Sequence, residues 1–166
     1  MKRGTHRPTD LLLHVLDEAY GKTAWHGPNL RSSLRGVTAR QASWRPAAGR
    51  HNIRELVAHA AYWKYRVRRR LTGEKRGSFP RPGSNWFAIS GVDEKTWRAE
   101  RELLDREHQA LRRAIAAFPA SRFGRPLPGT LGRVALREIA GIALHDVYHT
   151  GQIQLLKILQ RRKRVR

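Results

Sequence analysis

Between Asn52 and Leu71 the chain reads NIRELVAHAAYWKYRVRRRL, a stretch whose apolar residues recur with a helical period. At 100° per residue Ile53, Leu56, Val57, Ala60 and Val67 share one face, with His59 on its shoulder beside Leu56 and Trp63. Asn52 is followed three residues later by Glu55, a capping-box variant that marks where the helix begins. Three further stretches carry the same kind of pattern. The first runs from about Thr9 to Tyr20, with Thr9 or Asp10 at its start and Gly21 at its stop. Leu12, Val15, Leu16 and Ala19 make its apolar face, and His14 lies on the opposite side near Asp10 and Glu18, solvated. Another runs from about Asp93 to Phe118, with Trp97, Leu104, Leu111 and Phe118 at heptad spacing, His108 interleaved and Pro119 as the stop. The last extends from about Arg133 to near Arg161. Four amphipathic helices without a strand pattern or an internal repeat imply an all-α four-helix bundle, one domain over residues 1–166 ending in a basic tail at 161–166.

The connections are informative too. Residues 21–51 form a long link with short helical turns expected around Pro28 to Arg35 and Thr38 to Ala42. Residues 72–92 are rich in Gly, Pro and Ser yet carry Phe79, Trp86 and Phe87, which predicts an ordered loop packed across the domain. A link of this length can join two helices that run in the same direction.

Composition narrows the chemistry. With no cysteine there are no disulfides, thiolate ligands or cysteine nucleophiles, so any metal must be held by His, Asp or Glu. The net charge of +21 invites a nucleic-acid reading, with Arg66, Arg68, Arg69, Arg70 and the tail RRKRVR as local clusters. The excess is mainly arginine, 27 Arg against 7 Lys, and is spread through helices and loops alike. No helix-turn-helix, RNP motif or zinc finger accompanies it. Weak, sequence-indifferent adhesion to polyanions is expected, and no specific nucleic-acid partner. The first twenty residues lack a long apolar run, which argues against a signal peptide or a membrane span and for a cytoplasmic protein.

The segment GIALHDVYHTGQIQLL, from Gly141 to Leu156, places His145 and His149 four residues apart on an apolar stripe shared with Ile142 and Leu156. That spacing puts two imidazoles on one helix face, close enough for one metal ion to bridge. The alternative is a pair of core histidines bonded to backbone or tyrosine. HDVYH echoes the zincin pattern, but Asp146 stands in place of Glu and points about 100° away from His145, a structural residue by this reading. No acid or histidine follows His149, so a third ligand must come from upstream. His59 ranks first and His108 second, while His26 and His51 could line the mouth. Glu138 and Gln152 share the histidine stripe and are equal candidates to accept a hydrogen bond from a ligand's other ring nitrogen.

Three segments, HNIRELVAHAAYW, NWF and HDVYHTGQIQLLK, occur in an order that resembles the DinB-like superfamily of metalloenzymes over nearly the whole chain. The resemblance implies an up-down-down-up four-helix bundle, often a homodimer, in which the second and third helices run parallel across the link at 72–92. It also implies one divalent ion, zinc, nickel, manganese or iron, held by one histidine of the second helix and two of the last: His59, His145 and His149. Three neutral ligands leave such an ion its full charge, which lowers the pKa of bound water to about 7 or stabilises a thiolate. The implied function is a metal-dependent hydrolase or a transferase acting with a low-molecular-weight thiol. A non-catalytic metal-binding stress-response protein and a basic nucleic-acid-associated protein are the alternatives.

Overall fold

The structure, a computed structural model, describes residues 7–77, 79–89 and 91–163. Of the basic tail expected at 161–166, residues 164–166 and the side chains from 162 onward lie outside the described residues. In chain order the helices are α1 (Pro8–Tyr20), α2 (Leu30–Ser33), α3 (Ala39–Ser43), α4 (Ile53–Thr72), α5 (Glu94–Ala117) and α6 (Ala135–Lys163), with one 3-10 turn at Ala120–Arg122. Among the described residues there is no strand, only the isolated bridges Ala24 to Gly27 and Pro126 to Val134. No described helix is long and apolar enough to cross a membrane.

The helix starts follow from local chemistry. Asn52 accepts from the Glu55 amide at 2.8 Å while the Glu55 carboxylate accepts from the Asn52 amide at 3.3 Å, so two otherwise orphaned amides are satisfied reciprocally. Asn29 and Thr38 cap the short helices in the expected link in the same way. Gly73, in the left-handed region at φ 78°, closes α4 where a side chain would be strained. α1 begins at Pro8, one residue earlier than expected, because proline at the first helical position has its φ preset and lacks only an amide that would be unpaired anyway.

α4 packs on both α5 and α6, and its buried surface is far wider than one stripe. Its apolar face meets α5 and α6, while Tyr62, Tyr65 and Ala58 on another side are covered by Phe87 and Ile89, with Phe79 against them. The aromatic crossover thus packs across the domain as its sequence predicted and covers that side of α4. The charged residues buried along α4 pair with α5 and α6. Arg54 bonds both Glu100 oxygens, at 2.8 and 2.9 Å, and the Gly91 carbonyl at 2.7 Å. Arg68 reaches Glu107 at 3.3 Å, Arg70 holds Glu138, and Lys64 holds Asp146 with both side chains fully buried.

α1 corrects the expected helix phase. Leu16 and Ala19 are buried, but Val15 is 42 % exposed and the buried side extends to Asp17 and Tyr20. Hydrophobicity alone assigns those polar groups to water. They turn inward because α5 supplies partners: Arg112 donates to both Asp17 oxygens at 2.8 and 3.1 Å, and the Tyr20 hydroxyl donates to Asp105. His14 is exposed as expected and meets Glu18 at 3.2 Å. His14→Ala is therefore expected to change unfolding free energy by no more than about 0.5 kcal/mol, the usual range for exposed positions. A denaturant titration showing a loss on the scale of a core truncation would mean that the helix is rotated.

Candidate metal centre

α4 delivers His59 from its middle, and α6 delivers His145 and His149 one turn apart. The three nitrogens that converge are all Nε2. His145 Nε2 lies 3.0 Å from His59 Nε2 and 3.0 Å from His149 Nε2, and one ligand atom from each of the three rings falls within 4.8 Å of the others. Tetrahedral ligands at a zinc-to-nitrogen distance of 2.0–2.1 Å would stand about 3.3 Å apart, so the spacing fits one small divalent ion.

Proton placement strengthens that fit. His59 Nδ1 lies 2.9 Å from the Asn85 carbonyl, which can only accept, so Nδ1 carries the hydrogen and Nε2 offers a lone pair. Gln152 Oε1 accepts from His149 Nδ1 at 2.6 Å and sets the same tautomer there, while the Gln152 amide donates to the Tyr148 hydroxyl at 3.2 Å. Two lone pairs thus face the third ring, whose own Nε2 can place one hydrogen between only one pair. A cation between the three relieves that conflict. Of the two candidates for the supporting acceptor, Gln152 takes the role for His149, whereas Glu138 is held by Arg70 and by Arg133 Nε, the latter at 2.6 Å.

Burial also keeps the rings neutral. It pushes the His59 pKa down to about 4, with the Asn85 carbonyl opposing and the neighbouring His149 and His51 adding to the shift. It pushes His145 down to about 3, aided by His149, His59 and Lys64, and lowers His149 against the opposing Gln152 bond. Neutral imidazoles are the state a metal requires.

The aromatic frame around the rings was not anticipated. Trp86 stacks on His59 with centroids 3.8 Å apart and on His51 at 3.6 Å, a sandwich that fixes the ring plane of His59. His51 thereby adjoins the site, as expected of a residue at its mouth, while its Nδ1 meets Glu55 at 3.1 Å. Asn85, missed by the sequence reading, bonds the site twice: its backbone carbonyl takes His59, and its side-chain oxygen accepts from Trp63 Nε1 at 3.0 Å. It adopts φ 65°, a conformation that asparagine tolerates better than most residues. Only the position of this asparagine beside a tryptophan in an aromatic crossover hinted at such a role.

The remaining candidates lie elsewhere. His26 is exposed, and Asp146 is turned away into its pairing with Lys64, as its 100° offset predicted. His108 is buried in the core, stacked on Tyr20 with centroids 3.6 Å apart, and its Nδ1 has no partner among the described residues. Burial, with Lys64 nearby, pushes its pKa down to about 3 from the ordinary 6.5. A lowered folded-state value means the unfolded chain binds the proton first, so this contribution to stability is intact above pH 6.5 and is lost as the pH falls towards 3. His108→Leu should flatten the acid limb of a stability-against-pH profile by up to about 1.4 kcal/mol per pH unit in that window. An unchanged acid limb would show that His108 is not buried in its neutral form.

His59 and His145 open onto a cleft of about 620 Å³ between α4 and α6. Trp63, Val67, Ile142 and Leu144 give it a largely apolar lining, and Arg133, Arg137 and Glu138 are its charged members.

Among known proteins, no curated protein and no solved structure matches the chain significantly. A family model, that of the DinB superfamily, matches residues 22–153. The matched span contains all three converging histidines, the aromatic crossover and every residue that lines the cleft. The chain belongs to the DinB superfamily.

Proposed function

We propose that the protein is a metal-dependent enzyme in which His59, His145 and His149 hold one divalent ion through Nε2, and that it acts with a low-molecular-weight thiol as a transferase. The observation that carries this reading is the convergence of three neutral Nε2 atoms at the end of an apolar cleft. When bound, the ion would supply positive charge to stabilise an anion such as hydroxide or thiolate. The chain's own contribution is orientation: Asn85 and Gln152 hold the Nδ1 hydrogens of His59 and His149, Trp86 covers His59, and the apolar walls exclude water. The transferase reading stands ahead of hydrolysis because Glu138, the one carboxylate among the described residues of the cleft lining, is engaged by Arg70 and Arg133. Water activation benefits from a free general base, whereas a thiolate is itself the nucleophile.

Two structural features belong to the same proposal. An up-down-down-up arrangement is supported by the order of cross-helix contacts. Arg54 to Glu100 and Arg68 to Glu107 advance together along α4 and α5, whereas His59 to His145 and Arg70 to Glu138 run oppositely along α4 and α6. A homodimer is supported by the outward stripe of α6, where Leu144, Tyr148, Leu155 and Ile158 are 66, 65, 56 and 49 % exposed at heptad spacing. Leu155→Arg should turn a dimer into a monomer in sedimentation equilibrium. A wild-type chain that sediments as a monomer removes this part of the proposal.

The direct test is elemental analysis of protein prepared without a histidine tag, followed by assays of the loaded protein with thiol and electrophile pairs and with esters and amides. Protein that neither retains nor takes up a divalent ion would sink the metal reading. Thiol-independent ester or amide turnover would replace transferase with hydrolase.

A further inference from the structure

The charged end of the cleft carries more information than its apolar walls. Arg137 is exposed on its lining and has no acidic partner among the described residues. Glu138 cannot serve it, because that carboxylate already accepts from Arg70 on one oxygen and from Arg133 on the other. Two guanidinium groups therefore share the Glu138 carboxylate, and among the described residues none offsets the charge of Arg137. Arg133 spends its Nε on Glu138, and the hydrogen-bonding pattern leaves its two terminal nitrogens without an acid. Along α6, Arg137 lies eight residues before His145, two turns or roughly 12 Å by helical rise. Between them Ile142 and Leu144 from α6, and Trp63 and Val67 from α4, make an apolar passage. Gly141 sits in that stretch, and a Cβ placed there would meet nothing within 4 Å, so the passage is open at its middle.

We infer that this cleft binds an amphipathic organic acid, its carboxylate or other oxyanion at Arg137 and Arg133, its apolar body along Trp63 and Ile142, and its reacting group beside His59 and His145. The inference rests on the proposed metal site for the identity of the reacting end, but the anion end stands on the cleft alone. An isolated guanidinium at the rim of an apolar cleft selects for a charge at one position, because the planar fork bonds an oxyanion through two parallel hydrogen bonds. A neutral amide of the same shape can still accept from that fork, but through an uncharged hydrogen bond roughly half as strong as the charge-assisted pair. The length of the passage sets a second filter: a short acid such as acetate reaches one end only.

The probe is 4-phenylbutanoate against its neutral amide, 4-phenylbutanamide, titrated calorimetrically into zinc-loaded and into metal-free protein at physiological salt. The carboxylate is expected to bind about tenfold or more tightly than the amide, the usual strength of a charge-assisted hydrogen bond. Arg137→Gln should erase that preference without altering zinc content or the helical circular-dichroism signal, and Arg137→Lys should restore part of it. Arg161→Gln, on the far end of α6, should leave it intact, which separates the cleft from the general positive charge of the chain. Equal binding of acid and amide, or a preference untouched by Arg137→Gln, would overturn the inference. A chain that binds no zinc but still prefers the acid would sink the metal reading alone, whereas zinc binding without acid preference would sink this inference alone.

Discussion

Alanine at His59, His145 or His149 is expected to weaken divalent-metal binding by more than about 100-fold, above the 10- to 100-fold typical for losing a residue that merely supports a ligand. His108→Ala should leave metal content unchanged. Each ring contributes one Nε2 to the cluster, with His145 at 3.0 Å from the other two, and removing any one leaves two nitrogens to hold the ion. The fold should survive, because the three rings sit beside a cleft, whereas the cores of Leu16, Leu111 and Ile139 and of Leu30, Ile53 and Trp97 lie elsewhere. Competition with a chromophoric chelator measures the affinity, and far-ultraviolet circular dichroism checks the helices. A His59 variant that keeps full affinity while the His108 variant loses it would mean that the third ligand is misassigned. Gln152→Leu provides an internal scale, since it removes only the acceptor of the His149 Nδ1 hydrogen and should fall within the smaller, 10- to 100-fold range.

The second large effect concerns Lys64 and Asp146. Both side chains are fully buried and bonded to each other, Lys64 from α4 and Asp146 from α6, next in the chain to His145. Burial pushes the Lys64 pKa down and the Asp146 pKa up, while the partner's charge opposes each shift. Each group therefore depends on the other to remain charged in an environment that disfavours both ions. Lys64→Met or Asp146→Leu alone should cost about 3–5 kcal/mol, because an uncompensated charge stays in the interior. The double variant Lys64→Met with Asp146→Leu should recover most of that loss, since neither charge is left to solvate. Urea unfolding of the four proteins measures the coupling, and additive single effects would show that the two side chains do not act as a pair.

Much of this architecture was readable before the structure. The Asn52 and Glu55 box, the Gly21 stop and the Pro119 stop are local signals, and each acts within a few residues of where it stands in the chain. The histidine pair on α6 was legible for the same reason: an interval of four residues sets a common face whatever surrounds the helix. His59 was harder, because its ring had to be matched with another helix, and only its shoulder position on α4 separated it from His108. The face of α1 was misjudged at Val15, and the wide burial of α4, around most of its circumference, was not foreseen. Hydrophobic periodicity ranks residues by their dislike of water, so it cannot see that Asp17, Tyr20, Arg54 and Lys64 find partners far along the chain.

The division between the two levels follows from the range of the forces involved. By itself the sequence determined the four long helices, the Asn52 cap of α4, the lack of any cysteine ligand and the four-residue interval of His145 and His149, since all of these depend on covalent neighbours. Only the tertiary structure decided that His59 meets His145 at 3.0 Å, and that Trp86 stacks on His59. It also decided that the Asn85 carbonyl fixes a tautomer, and that Glu138 is taken by two arginines while Arg137, over an apolar cleft, has no acidic partner among the described residues. Apart from the Arg133 bond to Glu138, which spans 5 residues, those contacts join segments 26 to 86 residues apart, where hydrogen bonds and ion pairs form only after helix burial has brought their partners together.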